Sequence, residues 1–329
     1  MMKRLKMDYK QLPLLATIIL FMLAFAFGSV RYKGFFSTQV FLNLFVDNAF
    51  LIIVAVGMTF VILSGGIDLS VGSVIALTSM ISASLIMNVG LSPWIVIPIC
   101  LLVGTLIGLG HGSLIQFFNL QPFIVTLAGM FLARGLSFVI SVESIPIQNG
   151  FYSYMARTRI PVWGNYTISW SVVIALVVLF VAIYLLHFTK FGRNVYAIGG
   201  NEQSAELMGL PVAKTKILIY TINGFLASLG GVVFTFYMLS GYGLHTNGLE
   251  LDAIAAVVVG GTLLTGGAGY VFGSLFGVLT LGIIQTIITF EGTLSSWWTR
   301  IAVGMLLFVF IVLQRLIVVR SEAKKTTIT

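Results

Sequence analysis

Apolar stretches of 15–20 residues recur from one end of this chain to the other, and that recurrence limits what the chain can fold into. About 20 apolar residues in a helix match the roughly 30 Å hydrocarbon core of a bilayer. There, every backbone polar group has to be bonded within the protein. Ten such spans can be read, at 12–30, 48–63, 70–87, 93–110, 122–141, 168–187, 215–241, 253–264, 270–289 and 300–318. Those at 48–63 and 253–264 are short for a full crossing. Of 329 residues, 58% are hydrophobic and 9% charged, against about 25% charged in soluble domains. The expectation is an all-α, polytopic integral membrane protein: a single transmembrane domain over 1–329, with no soluble domain of useful size.

The charges give a topology. The net charge is +8, and 12 of the 18 basic residues fall in three segments. These are the N-tail (Lys3, Arg4, Lys6, Lys10), the stretch 188–216 (Lys190, Arg193, Lys214, Lys216) and the C-terminal end (Arg315, Arg320, Lys324, Lys325). Ten spans put all three on one side, and the positive-inside rule makes that side cytoplasmic. The N-tail 1–11, the loop 188–214 and the C-tail 319–329 are therefore read as cytoplasmic. The loop 142–167 then faces outward, although its Arg157 and Arg159 argue mildly against this. The first apolar run is longer than the 7–15 residues of a signal peptide core and reads as an uncleaved first helix. The cations do not form one face, so a nucleic-acid partner is not expected. Cys100 is alone, which excludes an internal disulfide.

A faint repeat runs through the chain. "LSGGIDLSVGS" (63–73) aligns with "LTGGAGYVFGS" (264–274) at an offset of 201 residues, each in the middle of a long apolar stretch. Glycine-interrupted hydrophobic segments in corresponding positions of two halves point to the working centre of a transporter. The candidate helix-break and pore residues are Ser64, Gly65, Gly66, Asp68 and Ser70 in the first copy and Gly266 and Gly267 in the second. Asn223 and Gln285, polar residues within other spans, join them. Gly104, Gly108 and Gly112, and likewise Gly269, Gly273 and Gly277, recur every four residues. Small residues at that spacing let helix backbones approach closely in lipid.

Asp68 is the sharpest of these residues, since an acid at the bilayer centre costs about 2.5–3.5 kcal/mol on insertion scales. Two readings stand side by side. Either Asp68 or Ser70 caps the helix that follows, or Asp68 sits at a break facing an aqueous path. Arg134 can snorkel to an interface or pair with Asp68 or Glu143. Asn223 and Gln285 can bond between helices or touch a neutral solute. Trp297 and Trp298 read as an interfacial aromatic belt.

The chain has no Gly-Lys pair and hence no G-x-x-x-x-G-K-[ST] phosphate loop, and no H-E-x-x-H. His111, His187 and His245 are far apart in sequence. No metal site and no covalent catalysis are expected. In the loop 188–214, Asn201 can cap a short helix from Glu202 to Met208, with Gly209 at the C′ position and Pro211 ending it. Leu207 and Met208 on that helix leave two readings, a docking knob or an ordinary surface helix.

"AVGMTFVILSGGIDLSVGSVIAL", "GRNVYAIGGNEQSAELMGL" and "AAVVVGGTLLTGGAGYVFGSLFGVL" together resemble the membrane permeases of bacterial ribose-type sugar ABC importers, over about residues 40–318. "DNAFLIIVAVGMTFVILSGGIDLSVGS", "ESIPI", "ELDAIAAVVVGGTLL" and "GTLSSWWTRIAVGMLLFVFIVLQR" resemble the galactofuranose-importing branch of that family. The resemblance implies a pore of two permease chains, alike or different, in the bacterial inner membrane. It also implies two cytoplasmic ATP-binding subunits, which carry ATP and Mg so that this chain binds no cofactor, and a periplasmic sugar-binding protein. The segment Asn201, Glu202, Ser204, Glu206, Leu207, Met208 and Gly209 would then be the coupling helix seated in a groove of the ATPase. The rival readings are an ion-coupled secondary transporter with Asp68 as the ion site, a permease for another monosaccharide such as ribose, and a membrane scaffold.

Overall fold

The computed structural model describes residues 12–295 and 297–326. The N-tail 1–11, with its four basic residues, and residues 327–329 of the C-tail lie outside the described residues. The helices are α1 (Leu12–Arg31), α2 (Thr38–Asp47), α3 (Ala49–Leu63), α4 (Val71–Met87), α5 (Pro93–Phe117), α6 (Pro122–Ile140), α7 (Gly150–Arg157), α8 (Trp170–Phe188), α9 (Lys190–Gly200), α10 (Glu202–Leu207), α11 (Val212–Met238), α12 (Leu249–Val259), α13 (Val271–Glu291) and α14 (Trp297–Thr326). Four short strands accompany them: β1 (Ile145–Pro146), β2 (Arg159–Trp163), β3 (Tyr166–Ser169) and β4 (Ser240–Gly241).

Among the described residues, seven helices are long and apolar enough to cross a bilayer: α1, α5, α6, α8, α11, α13 and α14. An eighth is α2 with α3, bent by 58°. The short span read at 48–63 is thus the second part of a longer one. Its first part escaped a hydropathy reading because Thr38, Gln39, Asn43 and Asp47 interrupt the apolar run. Ser37 starts it, its hydroxyl accepting from the Val40 N–H at 3.3 Å.

The expected span at 253–264 needs a correction. α12 has 11 residues, about 16 Å at 1.5 Å per residue, roughly half a hydrocarbon core. Gly261, at φ +93°, ends it in a Schellman-type turn, with Gly261 N–H to Val258 O at 3.0 Å and Thr262 N–H to Val257 O at 3.2 Å. Between α11 and α12 the chain pairs briefly with β1 through β4 and is then irregular from Tyr242 to Gly248. Such backbone is tolerated at membrane depth only where protein or water covers it. Arg134 serves that need: its guanidinium donates to Gly243 O at 2.7 Å and His245 O at 2.8 Å. It forms no ion pair with Asp68 or Glu143 among the described residues; the acid whose charge reaches it is Glu250, at the start of α12.

α3 is the centre of the bundle. Fourteen of its 15 residues are buried, as expected of a helix that is apolar all round. α11, α8, α12 and α13 pack around it. On α1, α6 and α14 large apolar side chains such as Met22, Leu132 and Phe308 are exposed, the surface that a bilayer covers. Both glycine ridges are packing surfaces. Gly104, Gly108 and Gly112 lie against Ser228, Tyr220 and Ile217 of α11, and Gly273 and Gly277 lie against Gly260 and Ala256.

The two long loops occupy opposite ends. The segment 142–167 carries α7 and the antiparallel β2–β3 hairpin, which the Gln39 side chain ties to the start of α2 through Thr167, by two bonds of 3.2 Å. The other end of the same bent span, Leu63, meets α9. The Thr17 hydroxyl near the start of α1 donates to Val259 O, and Gln314 of α14 donates to Val258 O and Thr262 O. The chain therefore enters and leaves the bundle on the α9 side.

Candidate functional site

The first glycine turn closes α3. Gly65 stands at φ +82°, a conformation that a Cβ disfavours. Its N–H bonds Ile62 O at 2.9 Å, and the Gly66 N–H bonds Val61 O at 3.0 Å. Where a side chain at Gly66 would go, the Tyr220 hydroxyl already sits. The chain then runs without helix to Ser70, and α4 starts at Val71. Asp68 is 1% exposed. Its Oδ1 accepts from the Ser70 N–H at 2.8 Å and the Ser70 hydroxyl at 2.6 Å, and its Oδ2 accepts from the Asn223 amide at 2.7 Å. Asp68 thus orders the residue before α4 and ties that turn to α11. Ser70 spends its hydroxyl on Asp68 and makes no side-chain cap of its own. Three buried polar atoms nearby have no hydrogen-bond partner among the described residues: Tyr220 Oη, Asn223 Oδ1 and His111 Nδ1.

The second turn repeats the first at its opening glycine. Gly266 stands at φ +83° and its N–H bonds Leu263 O at 2.9 Å, the counterpart of Gly65 with Ile62 at the 201-residue offset. The counterpart of Asp68 is Gly269, where the Thr262 side chain fills the space of a Cβ. The Gly269 carbonyl accepts from the Tyr196 hydroxyl of α9 at 2.7 Å. Burial raises the Tyr196 phenol well above its ordinary value, so it stays protonated as the donor.

The two turns touch. The Gly267 N–H donates to Leu63 O at 2.9 Å, and Gly266 packs on Gly65. Gly199, near the end of α9, is wedged between Leu63 O and Gly267 N. Both turns and α9 therefore form one joint, with contacts too close for any side chain at Gly199.

α10 follows within two residues of that joint. The Asn201 side chain caps it, accepting from the Ser204 N–H at 2.7 Å. Gly209 at φ +74° ends it, with its N–H to Glu206 O at 2.9 Å. The helix stops at Leu207, one residue earlier than read. Glu202 pairs with Lys216 of α11 at 2.7 Å, and Ala205 is buried against Ile198 and Val212. Leu207 and Met208 are 89% and 69% exposed.

Gln285 stands apart from this joint. It is exposed on α13 and lines a cavity of about 530 Å³ with Asp47 and Asp252; Asp68 and Asn223 do not reach it. The sequence reading passed over Asp47 and Asp252, though the argument that singled out Asp68 applies to both: each is an acid within an apolar helix. Among the described residues no three His, Cys, Asp or Glu side chains are grouped to hold a metal ion.

Residues 40–311 match the family described as the branched-chain amino acid transport system, permease component. The chain belongs to that permease family. The permease is 50% identical over 318 residues to the inner membrane ABC transporter permease protein YjfF of Escherichia coli, covering 97% of this chain and 96% of the relative. It is 42% identical to the fructose import permease protein FruG of Bifidobacterium longum, covering 98% and 96%. It is 39% identical to the ribose import permease protein RbsC of Haemophilus influenzae, covering 91% of each. No solved structure matches the permease significantly. The family membership read from the motifs holds: this is a multi-pass transmembrane subunit of an ABC transporter. It is not an enzyme, and nucleotide binding belongs to partner ATPase subunits.

Proposed function

We propose that the permease forms the translocation path of an ATP-driven monosaccharide importer in the bacterial inner membrane, and that galactofuranose is the sugar. The observation that carries this reading is α10. It is a short, doubly capped helix with two bare apolar side chains at its tip, joined through α9 to both glycine turns. An isolated six-residue helix has no stability of its own, and bare Leu and Met at its tip favour burial in a partner's groove. The segment from Asn201 to Gly209 is read as the coupling helix on the cytoplasmic face, beside the cytoplasmic N- and C-tails. Two ATPase subunits, a second permease chain, the same or different, and a periplasmic sugar-binding protein complete the importer.

The mechanism is alternating access. Closure of the ATPase subunits moves α10, α9 passes the motion to both turns, and α4 and α13, which start from those turns, tilt. The relatives named for fructose and ribose support a monosaccharide, and the segments quoted above support galactofuranose.

The double variant Glu202→Lys, Glu206→Lys tests the docking. The Glu202–Lys216 pair lies at the surface, where such pairs contribute about 0–1 kcal/mol, so the variant still inserts. It loses stimulation of the ATPase and sugar uptake; normal uptake would overturn the docking role. Binding of galactofuranose, ribose and fructose to the cognate binding protein decides the sugar.

A further inference from the structure

Three cavities adjoin at the end of the bundle that carries the β2–β3 hairpin. The largest, about 530 Å³, lies between α2, α3, α12 and α13, within the size range of small-molecule sites. A second, about 270 Å³, shares Asp47 and Tyr237 with it and extends to Arg159 of the hairpin. A third, about 360 Å³, shares Asp252 and Gln285 and extends to Trp297 and Arg300. Together they make one cleft whose lining carries four charged side chains, Asp47 and Asp252 against Arg159 and Arg300.

Each acid shares a cavity with an arginine, and neither reaches it at ion-pair distance: Glu202–Lys216 is the ion pair among the described residues. Carboxylates on membrane-spanning helices do not face lipid, so this face borders water or a polar solute. A lining with equal numbers of acids and arginines has no preference for an anion or a cation. Carboxylate oxygens accept from hydroxyls, guanidinium and amide groups donate to them, and Tyr237 and Trp297 offer apolar ring faces. That combination suits an uncharged polyhydroxy molecule.

We propose that this cleft is the outer part of the sugar's path, and that Asp47 and Asp252 accept hydroxyl hydrogen bonds from the sugar in transit. The proposal rests on the sugar-import reading above. Asp47→Asn and Asp252→Asn, each in the complete importer in intact cells, are expected to lower uptake about tenfold at equal amounts of assembled complex, the loss of one charge-assisted hydrogen bond. Wild-type uptake in both variants overturns the proposal.

A second measurement does not depend on assembly with the ATPase. In a Cys100→Ser background, Gln285→Cys should react with a membrane-impermeant maleimide added outside, and excess sugar should slow the reaction. A thiol that stays unmodified in intact and in permeabilised cells overturns the cleft. Uptake that survives ATP depletion would instead overturn the importer reading and leave the labelling result standing.

Discussion

Asp68 depends on three donors, the Ser70 N–H, the Ser70 hydroxyl and the Asn223 amide. Asparagine at this position can keep the first bond through its amide oxygen. Its amide nitrogen can meet Asn223 Oδ1, which has no partner among the described residues in the wild type. Leucine keeps none of these bonds and leaves buried donors orphaned, at about 1–3 kcal/mol each. Asp68→Asn is therefore expected to melt close to wild type and to retain uptake, and Asp68→Leu to melt lower and lose it. A thermal-shift assay on the purified importer, read beside uptake, checks this. Equal loss of uptake at equal expression would assign the role to the charge itself. The acid was legible from sequence because it is out of place in an apolar segment. Its partner was not, because Asn223 lies 155 residues away and no local pattern joins the two.

At the scale of elements, α10 was legible and α9 was not, for one physical reason. The ends of α10 are set by adjacent residues, Asn201 before it and Gly209 after it, so the local chemistry is complete. α9 contains Gly192, Gly199 and Gly200, and glycine costs about 1 kcal/mol in a helix interior relative to alanine. What holds α9 is packing against α8, α11, α3 and the second turn, which a local reading does not contain. Its one readable mark was Thr189, whose hydroxyl accepts from the Gly192 N–H at 3.3 Å. The truncation of α12 is a similar case: Gly260 and Gly261 stop a helix that hydropathy alone carries onward. The joint yields a paired test. Alanine raises intrinsic helix propensity at Gly199 and at Gly200 alike. At Gly199 its Cβ collides with the Leu63 carbonyl and comes within 2.6 Å of Gly267 N, whereas at Gly200 it meets nothing within 4 Å. Gly199→Ala is expected to lose most uptake and Gly200→Ala to keep it, measured at equal membrane levels. Equal uptake by the two variants would remove the joint from the coupling route.

For the whole molecule, the question is which end of the bundle faces which compartment. The basic segments argued that 188–216 and both tails share one side, and the fold now separates two ends that a label can address. Trp163 is exposed in the β2–β3 hairpin and Leu207 is exposed on α10, at opposite ends of the α2–α3 span. Cys100, the sole cysteine, lies buried 3.3 Å from the Ser82 hydroxyl and 3.7 Å from Thr78 O. A serine hydroxyl finds the same partners, so Cys100→Ser gives a background free of thiols at little cost in packing. In that background Trp163→Cys should react with a membrane-impermeant maleimide added to intact cells. Leu207→Cys should react only after permeabilisation, and more slowly once the ATPase subunits are bound. The distribution of charge dictates this order, because moving the α10 end outward would carry Lys190, Arg193, Lys214 and Lys216 across the membrane against the rule that holds such clusters inside. Reaction of Leu207→Cys in intact cells would invert the chain and, with it, the assignment of the three-cavity cleft to the side from which the sugar enters.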